Sequence, residues 1–580
     1  MALNRQKSSQ SFNWRENFVG TAILLLFLVL VIKLGYVQLV KHSTYKNLAE
    51  QRHSLLEEIL AERGEVYVVG QNSQPKPIVI NQKRWHIIAV PARLQSVAEK
   101  NEIISKLLAQ NILDEETLQK RLANEKSQYA PLLYYADDTQ KVALTEINPR
   151  VILALPAQSR FYPDGEVFGF LTGFMLGGPD ERKASYGLEE YWNEELAGQA
   201  GFLKTEKDAL GNIISIGNEV LQPAKNGETL FLTIDYSLQY FACSRLAEWV
   251  KIHGADSGSV VILNPQTGAV LTMCSAPTFD PNKFSEQKDS QPYSNQAINF
   301  AYEPGSVFKA ITLAAALDQG KITPETTFVD PGEIMYEKFP IRNSQNKKYG
   351  TVNMKIVLDE SINTGAIFAM KQIGKDKFRD YVAKFGFGLK TGIELPNEVA
   401  GSISSLDRVG EVFAATGSFG QGLTVTPLQL ASAFIPLANK GKLFQPYVVD
   451  KIKKADGTMV ATKPQLVRQV ISEKTASVIA GMLVSVVENG HGKKAGVKGY
   501  YIAGKTGTAQ IVKENELGYI EGANNGSFVG FGPVEDPKFV MAVRIERPRD
   551  VQFAESSAAP LFGEIAKFFL TSKGIAPTRK

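Results

Sequence analysis

A single long apolar stretch, Phe18 to Val40, constrains this chain more than any other feature. As a helix, its 23 residues reach roughly 34 Å, enough for a hydrocarbon layer of about 30 Å. Lys33 is the one charge inside it. A cation at mid-bilayer costs roughly 3 kcal/mol on insertion scales. Lys33 lies two-thirds along the run, so it either snorkels outward or faces a partner helix. A cleaved signal peptide is the alternative, but no small-x-small cleavage pattern follows the run, which favours an anchor. Arg5, Lys7 and Arg15 precede the helix, and Lys41 and Lys46 follow it. Flanking charge therefore leaves the orientation open, since long domains translocate regardless of it.

The remainder reads as folded protein. The chain has 580 residues, room for two or three domains, with 44% hydrophobic and 21% charged residues. A net charge of +4 is close to neutral at this size and points away from a nucleic-acid partner. The five histidines, at 42, 53, 86, 253 and 491, show no metal-ligand spacing, and no metal or organic cofactor is implied. Two cysteines, Cys243 and Cys274, exclude a multi-disulfide framework. Both are expected to pack as small hydrophobes, with a single disulfide as the alternative.

Three short motifs carry the chemistry. Ser306-Val-Phe-Lys309 follows Tyr302-Glu-Pro-Gly305 and runs into an apolar helical segment, Ala310 to Leu317. Ser361-Ile-Asn363 and Lys505-Thr-Gly507 with Thr508 come later, in that order. A serine hydroxyl needs a base to become a nucleophile. Positions i and i+3 share a helix face, so Lys309 reaches Ser306, and burial favours the neutral lysine that a base requires. Pro304-Gly305 reads as a helix start, with free N–H groups and a positive dipole end beside the attacked carbonyl. Ser361 is suited to relay a proton, Asn363 to hold a substrate amide, and Lys505, Thr506 and Thr508 to bind a carboxylate. Each motif alone has a bland reading: a helix cap, a solvated lysine, a turn, a hairpin end. Their joint order and flanks outweigh those readings.

The ordered set resembles the signature of penicillin-binding proteins and serine β-lactamases. The flanks narrow the resemblance to the class B penicillin-binding proteins, monofunctional transpeptidases of bacterial cell-wall synthesis. They include Leu232-Thr-Ile-Asp235 with Gln239, Pro265-Gln-Thr-Gly268, Phe279-Asp-Pro-Asn282, Phe385-Gly-Phe-Gly388 and Thr391-Gly-Ile-Glu-Leu-Pro396. Gly420-Gln-Gly422 with Thr426-Pro427, Ser527-Phe-Val-Gly530, Arg63-Gly64, Arg160 with Tyr162-Pro163, and Gly187-Leu-Glu189 belong to the same pattern. Two departures stand out: Arg63-Gly64 continues into Glu65-Val-Tyr rather than an acidic turn, and Asn489-Gly-His491-Gly492 replaces a more usual Gly-Thr. The resemblance implies that Ser306 is acylated, that Lys309 is its base, and that Ser361, Asn363 and Lys505 complete the polar array. It implies an oxyanion hole from the N–H groups of Ser306 and Thr508, with Thr506, Gly507 and Thr508 on the substrate side. The substrate implied is a peptidoglycan stem peptide, so the bulk of the chain is placed outside the cytoplasmic membrane. A SEDS-family glycan polymerase is the implied membrane partner.

The expected fold is α+β. Residues 1–17 are a cytoplasmic tail and 18–40 a transmembrane helix. Residues 41–230 form a mixed α/β pedestal, similar to the family's dimerisation domain, and 231–572 the transpeptidase domain, an antiparallel sheet flanked by helices. Residues 573–580 are a disordered tail. In the pedestal, strands are expected at Ile78–Asn81 and Trp85–Ala89, and helices at Ser96–Ile112 and Asp114–Asn124. In the catalytic half, Ser259–Asn264 and Ala269–Cys274 read as a hairpin around Pro265-Gln-Thr-Gly268. Gly499–Gly504, Ser527–Phe531 and Phe539–Ile545 read as later strands. Rival functions are a D,D-carboxypeptidase or β-lactamase, a non-catalytic β-lactam receptor, and a structural protein with a dead site. The first needs a carboxylate to activate water. The second needs a signalling domain bearing His-Glu-x-x-His, which is absent, and the third conflicts with three intact motifs.

Overall fold

The computed structural model describes residues 14–45, 54–59, 61–178, 182–207, 213–287, 293–336, 339–513 and 518–579, without the side chains of 16, 54–58 and 203–221. Most of the expected N-terminal tail lies outside these residues. The chain forms two compact units: 1–61 with 199–225, and 62–198 with 226–580.

In the first unit, the helix Trp14–Gly35 continues into a wider turn, Tyr36–Val40. Together they give a 24-residue apolar span from Asn17 to Val40, long enough to cross a membrane, with Lys33 in the last turn of the helix. The strands Ser54–Ile59, Gly201–Lys207 and Ile213–Gln222 form an antiparallel sheet in that order.

In the second unit, the pedestal strands are longer than their sequence suggests. The two expected strands merge into one, Pro75–Ala89, because it pairs without interruption with Ile152–Phe161, from Ile80 opposite Phe161 to Ala89 opposite Ile152. The polar run Asn81-Gln-Lys-Arg84 hid that continuity from hydropathy alone. The two expected helices form as Val97–Leu108 and Glu115–Arg121, capped by the side chains of Ser96 and Asp114. The strand Thr229–Asp235 straddles the expected boundary at 230/231. It runs parallel to Val66–Val69 of the pedestal and antiparallel to Val449–Lys453 of the catalytic half, within one seven-stranded sheet. Four pedestal residues quoted from three separate stretches, Arg63, Arg160, Tyr162 and Glu189, converge on one cluster. Arg63 and Arg160 donate to opposite oxygens of Glu189, each at 2.7 Å, and Tyr162 adds a hydroxyl at 3.3 Å. Burial pushes the Glu189 carboxyl up, but the two guanidinium groups outweigh it and hold it below the usual carboxylate range. Losing one partner of such a buried cluster typically costs about 3–5 kcal/mol.

The catalytic half is built on a five-stranded antiparallel sheet in the order Val270–Ala276, Ser257–Leu263, Phe539–Glu546, Tyr519–Gly532, Ala503–Val512. Alternation along the strands sends Val261, Leu263, Val529 and Ala542 to a core shared with the helices Lys309–Asp318 and Pro427–Ala438. Val260, Ile262, Phe528 and Val543 face the helices Tyr236–Ile252 and Ala558–Ser572. The edge strand begins at Ala503 and extends to Val512, so Lys505-Thr-Gly507 lies inside it rather than after it. Gly499, at φ +92°, turns the chain away before the strand starts.

Two expectations are corrected. Cys243 and Cys274 do not pack separately: they form a disulfide with Cα atoms 5.2 Å apart. The helix Tyr236–Ile252 lies across the sheet, and Gln239 holds the crossing by donating to Met273 O at 2.6 Å and accepting from Met273 N at 3.0 Å. The segment 573–579 is not loose. Tyr500 donates to Ile575 O at 2.6 Å, Thr578 and Arg579 donate backbone N–H groups to Gly499 O, and Arg579 pairs with Glu488 at 2.9 Å.

The bond closes a loop between residues 31 apart, which on the chain-entropy account stabilises by roughly 3–4 kcal/mol. The double substitution Cys243→Ala/Cys274→Ala is expected to lower the thermal midpoint by several degrees and to remove its dependence on reductant. A wild-type midpoint indifferent to reductant would count against the bond.

Candidate active site

Ser306 sits in a 3₁₀ turn, Gly305–Phe308, that passes directly into the α-helix Lys309–Asp318. With three residues per turn, positions i and i+3 eclipse, so Ser306 and Lys309 share a face more closely than an α-helix start would allow. Ser306 is half-buried, whereas Lys309, Val307 and Phe308 are fully buried. Gly305 adopts φ +58° and donates its N–H to Gly420 O at 3.1 Å. The third-motif strand lies against this turn. A Cβ at Gly507 would fall 2.6 Å from Val307 Cγ2 and 2.7 Å from Pro304 O, so only glycine permits the approach.

The three motifs meet at Ser361. Lys309 Nζ donates to Ser361 Oγ at 3.1 Å and also contacts the Ser361 carbonyl oxygen. Lys505 Nζ donates to the same Oγ at 3.1 Å, and to Thr506 O and Oγ1 at 3.1 and 3.3 Å. Ser361 itself is held at φ +56°, a left-handed conformation that a non-glycine residue adopts at some cost. Burial drives the Lys309 ammonium far below its ordinary pKa, and the neighbouring Lys505 charge drives it further. Burial also brings Lys505 down to about 7, against the pull of Asp359. Asp359 lies two residues before Ser361 and accepts from Ser485 Oγ at 2.8 Å.

Asn363 opens the helix Asn363–Ile373, and its Nδ2 donates to Arg342 O at 2.7 Å. Thr508 lies one residue beyond Gly507, and its Oγ1 accepts from Ala554 N at 3.1 Å. The Ser306 N–H, at the start of its turn, has no partner within the helix, and the position a Gly305 Cβ would take lies 3.0 Å from Thr508 O. Ser306, Lys309, Ser361, Asn363, Lys505, Thr506, Gly507 and Thr508 therefore belong to one contiguous region.

Sequence reading missed several supports of this region. Tyr302 OH bonds Ser527 Oγ at 2.8 Å. Glu303 accepts from Gly422 N at 2.8 Å and from Tyr519 OH at 3.1 Å. Burial raises the Glu303 carboxyl's pKa despite these donors. Tyr302, Glu303 and Gly422 were visible as parts of motifs, but nothing local signalled contacts across more than a hundred residues. Among the described residues, no cluster of three His, Cys, Asp or Glu side chains is placed to hold a metal.

The penicillin-binding protein transpeptidase domain model matches residues 258–567, and the penicillin-binding protein dimerisation domain model matches 58–232. The chain belongs to the class B penicillin-binding proteins. It is 32% identical over 564 residues to stage V sporulation protein D of Bacillus subtilis, covering 96% of this chain and 85% of that one. It is 27% identical over 579 residues to the probable peptidoglycan D,D-transpeptidase PenA of Neisseria meningitidis, covering 99% and 95%. The fold is that of penicillin-binding protein 2X from Streptococcus thermophilus (TM-score 0.73, 21% identity, 90% of this chain and 81% of that one). A peptidoglycan synthetase from Bifidobacterium adolescentis shares it (TM-score 0.71, 22% identity, 91% and 98%).

The two lowered lysines of this penicillin-binding protein imply a pH window. As the expected base for Ser306, Lys309 must be neutral, so acylation by a labelled penicillin is expected to fall on the acid side as Lys309 takes up a proton. As the expected carboxylate-binding cation, Lys505 must stay charged, so acylation is expected to fall on the alkaline side as Lys505 loses its proton at about 7. The limbs belong to the pair rather than to either residue alone. Lys505→Arg stays charged and is expected to remove the alkaline limb; an unchanged profile would detach that limb from Lys505.

Proposed function

We propose that this protein is a membrane-anchored peptidoglycan D,D-transpeptidase that crosslinks stem peptides through an acyl-enzyme on Ser306 and binds penicillin covalently. The observation that carries the reading is the pair of buried lysines converging on Ser361, one of them, Lys309, a single turn after Ser306. Lys309 takes the Ser306 proton, and Ser306 Oγ bonds to the penultimate D-Ala carbonyl carbon. The peptide C–N bond breaks, and the proton reaches the departing D-Ala amine through Ser361. An amine of a neighbouring stem then attacks the ester; the new amide forms, the C–O bond breaks, and the proton returns to Ser306. Asn363 holds the donor's amide, and Lys505, Thr506 and Thr508 its carboxylate, with Gly507 giving the strand its close approach. The N–H groups of Ser306 and Thr508 receive the oxyanion, typically worth about 3 kcal/mol per donor.

The apolar span Asn17–Val40 supports a single-pass anchor in the cytoplasmic membrane. The Cys243–Cys274 disulfide supports an extracytoplasmic catalytic domain, because such bonds persist in oxidising compartments. Lys33 within the span supports a partner in the membrane. A SEDS-type glycan polymerase suits that place, supplying the strands that a transpeptidase joins.

Hydrolysis instead of transfer requires a base that holds water against the ester. Glu303, the acid nearest Ser306 in sequence, is engaged on both oxygens by Gly422 and Tyr519. Glu394 accepts from Val448 N at 2.9 Å, and Glu398 from Thr391 and Gly392. These engagements favour a transpeptidase over a β-lactamase. A short pulse of labelled penicillin, followed by drug removal and intact-mass spectrometry, tests this. A persistent adduct mapping to Ser306 and absent in Ser306→Ala is expected. Recovery of free enzyme within seconds, with drug turnover, would make the protein a β-lactamase.

Lys309→Ala is expected to slow acylation by roughly two to four orders of magnitude with the circular dichroism spectrum unchanged. A near-wild-type rate would show that another group deprotonates Ser306.

A further inference from the structure

Two consecutive residues at the start of the helix Asn363–Ile373 are tied to two consecutive residues at the end of the strand Phe339–Arg342. In the first rung, Asn363 Nδ2 donates to Arg342 O at 2.7 Å. In the second, Thr364 N donates to Asn343 Oδ1 at 3.1 Å. Behind both lies Asp330, at the end of the strand Thr327–Asp330 and fully buried. Its Oδ1 accepts from Thr364 Oγ1 at 2.5 Å and from Gly332 N at 2.9 Å. Its Oδ2 accepts from Tyr349 N at 2.8 Å, and Asn343 Nδ2 lies 3.0 Å from both oxygens. Burial pushes this carboxyl up, but the donors outweigh burial and hold it below the usual carboxylate range. The result is a carboxylate at a helix N-terminus, where the dipole favours it.

We propose that Asp330 is a positioning residue for Asn363. It has no place in the proton path. By fixing Asn343 and Thr364 at once, it holds the Arg342 carbonyl in register with the helix start. That carbonyl takes one of the two Asn363 side-chain N–H groups, which decides which end of the amide is oxygen. The other N–H and the oxygen are left in a set orientation for a substrate amide. A side chain that must meet an amide in one plane gains from such second-layer support, since small misplacements cost rate steeply. The inference rests on the role proposed above for Asn363.

A double-mutant cycle on the full-length protein in detergent tests it, reading the second-order acylation rate with a fluorescent penicillin. Asp330→Asn alone is expected to slow acylation tenfold or more, and Asn363→Ala by at least as much. The double variant is expected to be no slower than Asn363→Ala, because the group through which Asp330 acts is gone. Multiplied losses in the double variant would overturn the proposal while leaving Asn363 its role. Wild-type acylation by Asn363→Ala would overturn both, and wild-type acylation by Asp330→Asn would overturn the positioning alone. If Asp330→Asn does not fold, Thr364→Val and Thr364→Ser carry the same cycle. Valine is expected to slow acylation and serine to restore it; a serine variant as slow as valine would overturn the proposal.

Discussion

Two ammonium groups brought within 3.1 Å of one hydroxyl, and both buried, are what the rest of the catalytic half exists to hold. Left to themselves, two lysines at such separation repel, and each prefers water. The fold prevents both escapes. Lys309 is rooted in a helix whose residues Ala310 to Ala316 are all buried, and Lys505 in an edge strand paired along its length with Tyr519–Gly532. Their shared acceptor, Ser361, sits on a left-handed backbone that is closed by Ile362 N bonding back to Val357 O at 2.9 Å. With movement blocked, burial and the Lys505 charge favour the neutral form of Lys309. Loss of its proton is what the role proposed for Lys309 as a base requires.

How much of this was legible depended on the range of each interaction. Ser306 and Lys309 are neighbours on one turn, so their relation could be read directly. Arg63, Arg160 and Glu189 were readable only as separate fragments of a family pattern, and their meeting on one carboxylate is a product of the folded pedestal. The disulfide was misjudged because spacing alone says nothing about whether a helix will cross back over a strand. Here the Gln239–Met273 crossing, which leaves no trace in hydropathy, decides it. Asp330 escaped notice for a related reason. Asp330-Pro-Gly332 looks like a turn, and its other donors come from residues 343, 349 and 364. The tail after Ser572 was expected to be disordered as a chain terminus, and its anchors are mostly backbone groups that the sequence does not reveal.

The supports around Ser306 share a design. Tyr302 bonds to Ser527 on the strand Tyr519–Gly532, and Glu303 and Gly305 bond to Gly422 and Gly420 in one loop, so the segment leading into Ser306 is tied at two places in the catalytic half. No single one determines the geometry. Specificity of position comes from their simultaneous satisfaction, which fits an interior where polar groups are costly unless paired.

The strand Thr229–Asp235 has a mechanical meaning. Because it bonds to Val66–Val69 on one side and to Val449–Lys453 on the other, the pedestal and catalytic halves are joined by lateral rows of backbone hydrogen bonds and not by a tether. A pull along these strands loads those rows in shear, where the bonds must fail together, and not in sequence as in an unzipping hairpin.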